Sequence, residues 1–252
     1  MTVPSRAPSS TDAALAADIA RAAGALLLEL RDSGEAEGRA LGALGDMRAN
    51  DLILDRLRAE RPEDGILSEE TVDDLGRCAK QRVWIVDPLD GTREYSEGRD
   101  DWAVHVALTI DGEPAVGAVA LPALGLVLTS DPPPPLGPAH HPPRMFASRT
   151  RPPGECGPVA RALGAEMVAM GSAGAKAMAV VRGLGDIYLH SGGQHQWDNC
   201  APVAVALAAG LHASRIDGSP ILYNCAETSV PDLVICRKEL APAVLAALRD
   251  CD

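Results

Sequence analysis

Residues 131–143 read DPPPPLGPAHHPP, and neither a helix nor a central strand can run through them. Proline lacks the backbone donor that both structures need, and its ring fixes φ. A chain of 252 residues is thereby cut into two stretches that must each build their own regular elements. The expected division is into residues 1–143 and 144–252. At this length the two parts are still able to share a core.

Ahead of the prolines, residues 1–10 are polar and Pro/Ser-rich and read as a disordered lead-in. Leu15, Ile19, Leu26, Leu27 and Leu30 recur at helical spacing, which predicts an amphipathic helix over 12–30 with Ser10 or Thr11 as cap. A second helix is expected over 49–61, using Leu52, Ile53 and Leu57 and ending before Pro62. Strand-like runs follow at 83–86, 102–110, 115–121 and 126–129, with Asp111-Gly112 as a hairpin signal. Beyond the prolines, strands at 145–148, 166–170, 186–190 and 233–236 alternate with helices at 157–163, 173–181, 197–209 and 240–248. The expected fold class is α/β, with an α+β first part and an α/β second part.

The net charge of −12 speaks against a nucleic-acid polymer or an anionic membrane surface as partner. It suits a protein that gathers divalent cations, as it suits plain solubility. No apolar stretch approaches the ~18 residues that span a bilayer. The start, MTVPSRAPSS, has no apolar core of the kind a signal peptide needs. The six cysteines form no C-x-x-C pair, so reduced thiols in a cytoplasm are expected. Aromatic residues are only 3%, which leaves aliphatic side chains and alanine to fill the core.

The chemistry centres on Val83–Thr92, VWIVDPLDGT. An apolar strand runs into Asp87, Pro88 forces a turn, and Asp90 returns to the same side. Two carboxylates so placed can bridge hard cations, and Leu89 between them can offer its carbonyl. If Gly91-Thr92 open a short helix, their N–H groups point where a phosphate would sit. Each accompanying element has a plainer account. The D-P-x-D run also suits an Asp-rich turn, and Glu69-Glu70 in ILSEE suits a solvated face. Asp46 suits a helix N-cap, and Asp198 in the Trp197-Asp198 pair suits a first helical turn.

Taken together in this order, Asp46, Glu69-Glu70, Asp87–Thr92, Trp197-Asp198 and Ala209-Gly210 resemble the inositol monophosphatase-like superfamily of lithium-sensitive phosphatases. The resemblance covers roughly residues 12–250. Finer likeness to its 3′(2′),5′-bisphosphate nucleotidase branch, notably actinobacterial proteins of sulfur assimilation, lies in DPLDGTREYSEGRDDWAVHVAL, GSAGAKAMAV and AAGLHASRIDGSPILYN. The resemblance implies a layered αβαβα sandwich, with most ligands in residues 1–143 and Asp198 and the substrate contacts in 144–252. Magnesium, as two or three ions, is the implied cofactor. Glu69, Asp87 and the Leu89 carbonyl would hold the first ion; Asp87, Asp90 and Asp198 would hold the second; Asp46 with Glu69 would hold a weaker third. Asp46, Glu69 and Thr92 would carry catalysis, an in-line attack by metal-activated water with no phosphoenzyme. The Gly91 and Thr92 amides would grip the phosphate, with Leu89, Asp90 and Asp198 also facing the substrate. Two departures stand out. Ala43-Leu44-Gly45-Asp46 replaces the T-x-x-D common in the family, and the closing pair is Ala-Gly rather than Gly-Gly.

The substrate implied is a small phosphorylated metabolite, foremost adenosine 3′,5′-bisphosphate or its sulfate-bearing analogue. Inositol 1-phosphate or fructose 1,6-bisphosphate is the alternative, and a non-catalytic nucleotide-binding regulator is the alternative of another class. Ser172 and Lys176 are expected at the far end of the substrate, with Lys176 clamping a 5′-phosphate. Arg93 and Arg215 are further candidates for a second phosphate. Ser191, seven residues before Asp198, takes the place of a carboxylate that meets ring hydroxyls in inositol-type members, and so is expected to leave space without charge. His190 and His195 read as core or surface residues. A homodimer stays open.

Overall fold

The computed structural model describes residues 10–251. The lead-in expected over 1–10 lies outside them, except for Ser10, which already belongs to the first helix. Two helices, α1 (Ser10–Ser33) and α2 (Gly38–Glu60), precede a five-stranded sheet of β1 (Gly65–Ser68), β2 (Arg82–Asp90), β3 (Ala103–Ile110), β4 (Glu113–Leu121) and β5 (Leu126–Thr129). The strands lie in chain order, β1 parallel to β2 and the rest antiparallel. A one-turn helix, α3 (Thr92–Ser96), follows β2. Residues 130–143 contain neither helix nor strand.

The second sheet has the order β7-β6-β8-β10-β9, from β6 (Arg144–Ser148), β7 (Glu166–Met170), β8 (Ile187–His195), β9 (His212–Ser214) and β10 (Ser229–Cys236). Strands β6, β7 and β8 run parallel, while β10 is antiparallel to both its neighbours. Its helices are α4 (Cys156–Leu163), α5 (Ala173–Val181), α6 (Gln196–Ala208) and α7 (Ala241–Arg249).

Side-chain alternation along the strands sorts these elements into five layers. Trp84, Val86, Val104 and Val106 face α1 and α2. Their neighbours Val83, Ile85, Ala103 and Ala107 face α5 and α6, which meet Phe146, Tyr188, Leu233 and Ile235 of the second sheet on their other side. Met145, Ala147, Ile187, Leu189 and Val234 then close a third core against α4 and α7. Helix, sheet, helix pair, sheet, helix is the αβαβα sandwich, and sheets covered on both faces explain near-continuous apolar strands such as β3.

Four expectations change. Helix α2 begins eleven residues before the expected Ala49, because Gly42 and Gly45 look like helix breakers yet let the helix approach its neighbours. A Cβ at Gly42 would lie 2.7 Å from Thr92 Cγ2, and one at Gly45 would lie 3.0 Å from Leu27 and 3.2 Å from Tyr95. Asp46 is therefore a mid-helix residue and not a cap. Pro88 does not end β2; the strand continues to Asp90 through a register shift against β3. Strand β8 extends past His190 through Ser-Gly-Gly to His195, which reads as loop until its pairing with β10 is counted, and β9 went unread. Asp111 and Gly112 form the expected hairpin, both at positive φ (53° and 80°) as a mirror-image turn requires.

Helix α6 lies across β4 at Gly117, where a Cβ would stand 2.5 Å from the Ala201 carbonyl oxygen and 2.8 Å from Ala204 Cβ. Gly117→Ala is expected to force the helix off the sheet at a cost of about 1–3 kcal/mol. Urea unfolding measures this, and a variant as stable as the parent would contradict the packing.

Candidate metal and phosphate site

In a regular strand, residues three apart point to opposite faces. The shift between Asp87 and Asp90 leaves Pro88 and Leu89 opposite the single residue Val104, a bulge that absorbs the donorless proline and turns both aspartates to one side. Asp87 and Glu69 each stand one residue past the last pair of the parallel strands β2 and β1, Val86 with Ser68, and Glu69 N–H donates to the Val86 carbonyl at 3.3 Å. Asp198 arrives from the second half of the chain, in the first turn of α6, its Oδ2 accepting the His195 N–H at 2.6 Å. Buried amides seat this helix: Gln196 donates to the Cys225 and Glu227 carbonyls, and Asn199 donates to Gln194 Oε1 and accepts from Tyr223.

Asp87, Asp90 and Asp198 offer oxygens that all lie within 4.8 Å of one another. Asp90 is the best compensated. It accepts Ser172 Oγ at 2.5 Å, Gly174 N–H at 2.6 Å and Ala173 N–H at 3.1 Å, with His105 Nε2 at 3.3 Å. Burial alone would raise its pKa, but His105, Ser172 and Lys176 outweigh that and hold it down to about 2. The other carboxyls go the opposite way. Asp87 is pushed well above the usual carboxylate range by burial, then by Glu69, Asp90 and Asp198. Burial and then the Asp90 charge lift Asp198 to about 6. Glu69 is exposed as a residue, but its carboxyl is crowded by protein and by Asp198, Asp46 and Glu70, and rises to about 8. Asp46, lifted to about 7 by burial and then Glu70, shares the Thr92 hydroxyl with the Leu89 carbonyl, at 3.2 and 3.1 Å. Its Oδ1 is buried with no hydrogen-bond partner.

This donor set suits hard divalent cations. It is all carboxylate and carbonyl oxygen, it carries more negative charge than the nearby Lys176 can balance, and it holds an orphaned oxygen. Gly91 stands ahead of α3 at φ 91°, and a Cβ there would meet Ser172 and Trp102 at 3.1–3.3 Å. The first helical bond runs from Tyr95 N–H to the Gly91 carbonyl, so the Gly91 and Thr92 amides have no acceptor within the helix.

Other expected residues stand elsewhere. Lys176 is only 4% exposed; its ammonium donates to the Gly171 and Ser172 carbonyls and lies 5.3 Å over the Tyr188 ring. It sits behind Asp90 as a buried counter-charge, which corrects its reading as a clamp in the open cleft. Ser172 caps α5 at φ 50° and commits its hydroxyl to Asp90. Arg93 and Arg215 are ion-paired with Glu97 and Asp232. Ser191 donates to Glu155 Oε2 at 2.8 Å, so a carboxylate stands beside the position expected to lack charge. The space is there: nothing lies within 4 Å of a Cβ built at Gly192 or Gly193. His190 bonds the Gly192 carbonyl and His195 stacks on Trp197, and neither joins the acidic cluster. His105 was missed; its signal is a lone imidazole amid the apolar β3 run.

A sequence model described as the inositol monophosphatase family matches residues 10–131 and 144–252. A Mycobacterium leprae protein named 3′-phosphoadenosine 5′-phosphate phosphatase is 53% identical over 255 residues, covering 95% of this chain and 94% of that protein. The Escherichia coli K12 protein named 3′(2′),5′-bisphosphate nucleotidase CysQ is 30% identical over 201 residues, 73% of this chain and 79% of its own. The crystal structure of CysQ from Bacteroides thetaiotaomicron, described as a bacterial member of the inositol monophosphatase family, superposes with a TM-score of 0.77 at 23% identity, covering 90% of this chain and 97% of that one.

The raised pKa values set a pH dependence. Unfolded carboxyls lose their protons near pH 4, whereas Asp198, Asp46 and Glu69 do so at about 6, about 7 and about 8 when folded and free of metal. Between those limits the folded chain holds protons that the unfolded chain has lost, so stability falls as pH rises. In EDTA the melting temperature is expected to decline from about pH 4 to about pH 8, and saturating Mg²⁺ to stabilise most at the alkaline end. A flat or rising profile in EDTA would contradict the electrostatics.

Proposed function

The chain belongs to the inositol monophosphatase family, and from that premise we propose that it is a magnesium-dependent phosphatase releasing the 3′-phosphate of adenosine 3′,5′-bisphosphate. The observation that carries the chemistry is the Asp87, Asp90 and Asp198 cluster, in which burial and neighbouring carboxylates disfavour the ionised forms of Asp87 and Asp198 unless a cation is present. The likeness to the M. leprae protein, across nearly the whole of both chains, supports the substrate.

Glu69, Asp87 and the Leu89 carbonyl would hold one Mg²⁺, and Asp87, Asp90 and Asp198 a second. Asp46 and Glu69 would hold a weaker third. Bound there, the ions would supply positive charge that acidifies an attacking water and neutralises the departing oxygen. The Gly91 and Thr92 amides would orient the phosphoryl group. The Thr92 hydroxyl donates toward Asp46 Oδ2 at 3.2 Å, so a proton taken from the attacking water by the hydroxyl oxygen would pass on to the Asp46 carboxylate. Gly192 and Gly193 carry no side chain and face open space, which would leave a bulky substrate group unobstructed there. The proposed setting is the cytoplasm, where all six cysteines stay as the free thiols seen in the fold. No helix of the described residues is long and apolar enough to cross a membrane.

Phosphate release from adenosine 3′,5′-bisphosphate, inositol 1-phosphate and fructose 1,6-bisphosphate, with Mg²⁺ or EDTA, tests this reading. The nucleotide is expected to be the preferred substrate and EDTA to abolish its turnover. Asp87→Asn should lower kcat on the order of a hundred-fold or more with the fold retained. Preference for the inositol ester, or turnover in EDTA, would overturn the assignment.

A further inference from the structure

The proposed reaction gives no part to an imidazole, yet His105 lies fully buried beside the acidic cluster. It comes from the middle of β3, paired across the sheet with Asp87. Its Nδ1 is 3.1 Å from the Trp197 carbonyl oxygen. A carbonyl can only accept, so Nδ1 carries the hydrogen and donates it. On the opposite edge of the ring, Nε2 is 3.3 Å from Asp90 Oδ2, while Nδ1 stands 3.9 Å from Asp87 Oδ2.

One ring thus touches two of the three clustered carboxylates and the peptide carbonyl adjoining the third. Asp87 and Asp90 belong to β2 of the first sheet; Trp197 and Asp198 belong to α6, more than a hundred residues on. The ring is therefore a strut between the two halves of the ligand set. Its space is reserved by Gly174 of the GSAGAK run, where a Cβ would fall 2.0 Å from Nε2. The same glycine donates its N–H to Asp90. Any side chain at 174 would push the imidazole into the cluster it supports.

We infer that His105 is a positioning residue whose bond to the Trp197 carbonyl sets the first turn of α6 against β2, at the separation where Asp87, Asp90 and Asp198 share a divalent cation. The inference rests on the metal-site reading. Partners that hold ligands in place through hydrogen bonds typically contribute a 10- to 100-fold factor in metal affinity. Residue types separate this role from bulk packing. Asparagine at 105 places an amide donor where Nδ1 stands, glutamine extends its amide to the place of Nε2, and leucine fills the volume without either.

The test is calorimetric titration of Mg²⁺ into the full-length protein without substrate, with melting in EDTA as the control for folding. His105→Leu is expected to weaken Mg²⁺ binding on the order of ten- to a hundred-fold, while His105→Asn stays within about three-fold of the parent. Leucine binding within about three-fold of the parent would overturn the inference, as would asparagine losing as much as leucine. Should the leucine variant not fold, His105→Gln, which leaves the Trp197 carbonyl without its donor, stands in under the same two thresholds. A parent protein that binds Mg²⁺ but releases no phosphate would sink the proposed function and leave this inference standing.

Discussion

Like charges buried within 4.8 Å of one another are the constraint around which this molecule is arranged. Taking three carboxylates out of water in close array is unfavourable unless positive charge joins them. The fold supplies some from within. Lys176 is sunk behind Asp90, and the hydroxyl of Ser172 and the amides of Ala173 and Gly174 converge on the same carboxylate. The hydroxyl and the amides serve Asp90, and only the Lys176 charge reaches Asp198 as well. Asp87 and Asp198 are left with pKa values displaced upward, and Asp46 with a bare buried oxygen. That uneven compensation marks the cluster as a receptor for cations rather than a structural ion-pair network.

The layered architecture makes the cluster possible because each carboxylate arrives from a different element. The bulge at Pro88 turns Asp87 and Asp90 to one side; a strand without it would send them to opposite faces. Parallel pairing of β1 with β2 brings Glu69 to the same end of the sheet. Helix α6 carries Asp198 in because Gly117 lets it lie directly on β4, and α2 carries Asp46 in because Gly42 and Gly45 let it approach α3 and α1. Small residues at these contacts are thus part of the site although none of them offers it a side-chain ligand.

Legibility in the sequence followed the range of the interactions involved. The VWIVDPLDGT run is local, with strand, proline and paired aspartates in ten residues, and its place at the end of a strand could be read directly. The alternation of strands and helices after the prolines was equally local. Asp46 looked like a cap because the helix was expected to begin at Ala49, and only packing against Thr92, Leu27 and Tyr95 shows why Gly42 and Gly45 belong to the same helix. Lys176 looked like an open phosphate ligand because nothing in GSAGAK reveals that the side chain folds back onto its own turn. Ser191 looked uncharged until α4 brought Glu155 beside it, and His105 drew no notice because its partner, the Trp197 carbonyl, comes from a distant helix. Every misreading concerned a partner far away in the chain or a side chain turning on itself.

Crystals soaked in Mn²⁺, a divalent ion that scatters anomalously and shares the oxygen preference of Mg²⁺, would test the central claim most directly. Anomalous difference maps are predicted to show at least one strong peak bounded by Asp87, Asp90 and Asp198, weakened when Asp87 is replaced by Asn. Full-occupancy Mn²⁺ found only elsewhere on the surface, with those three carboxylates closed on one another through shared protons, would contradict it.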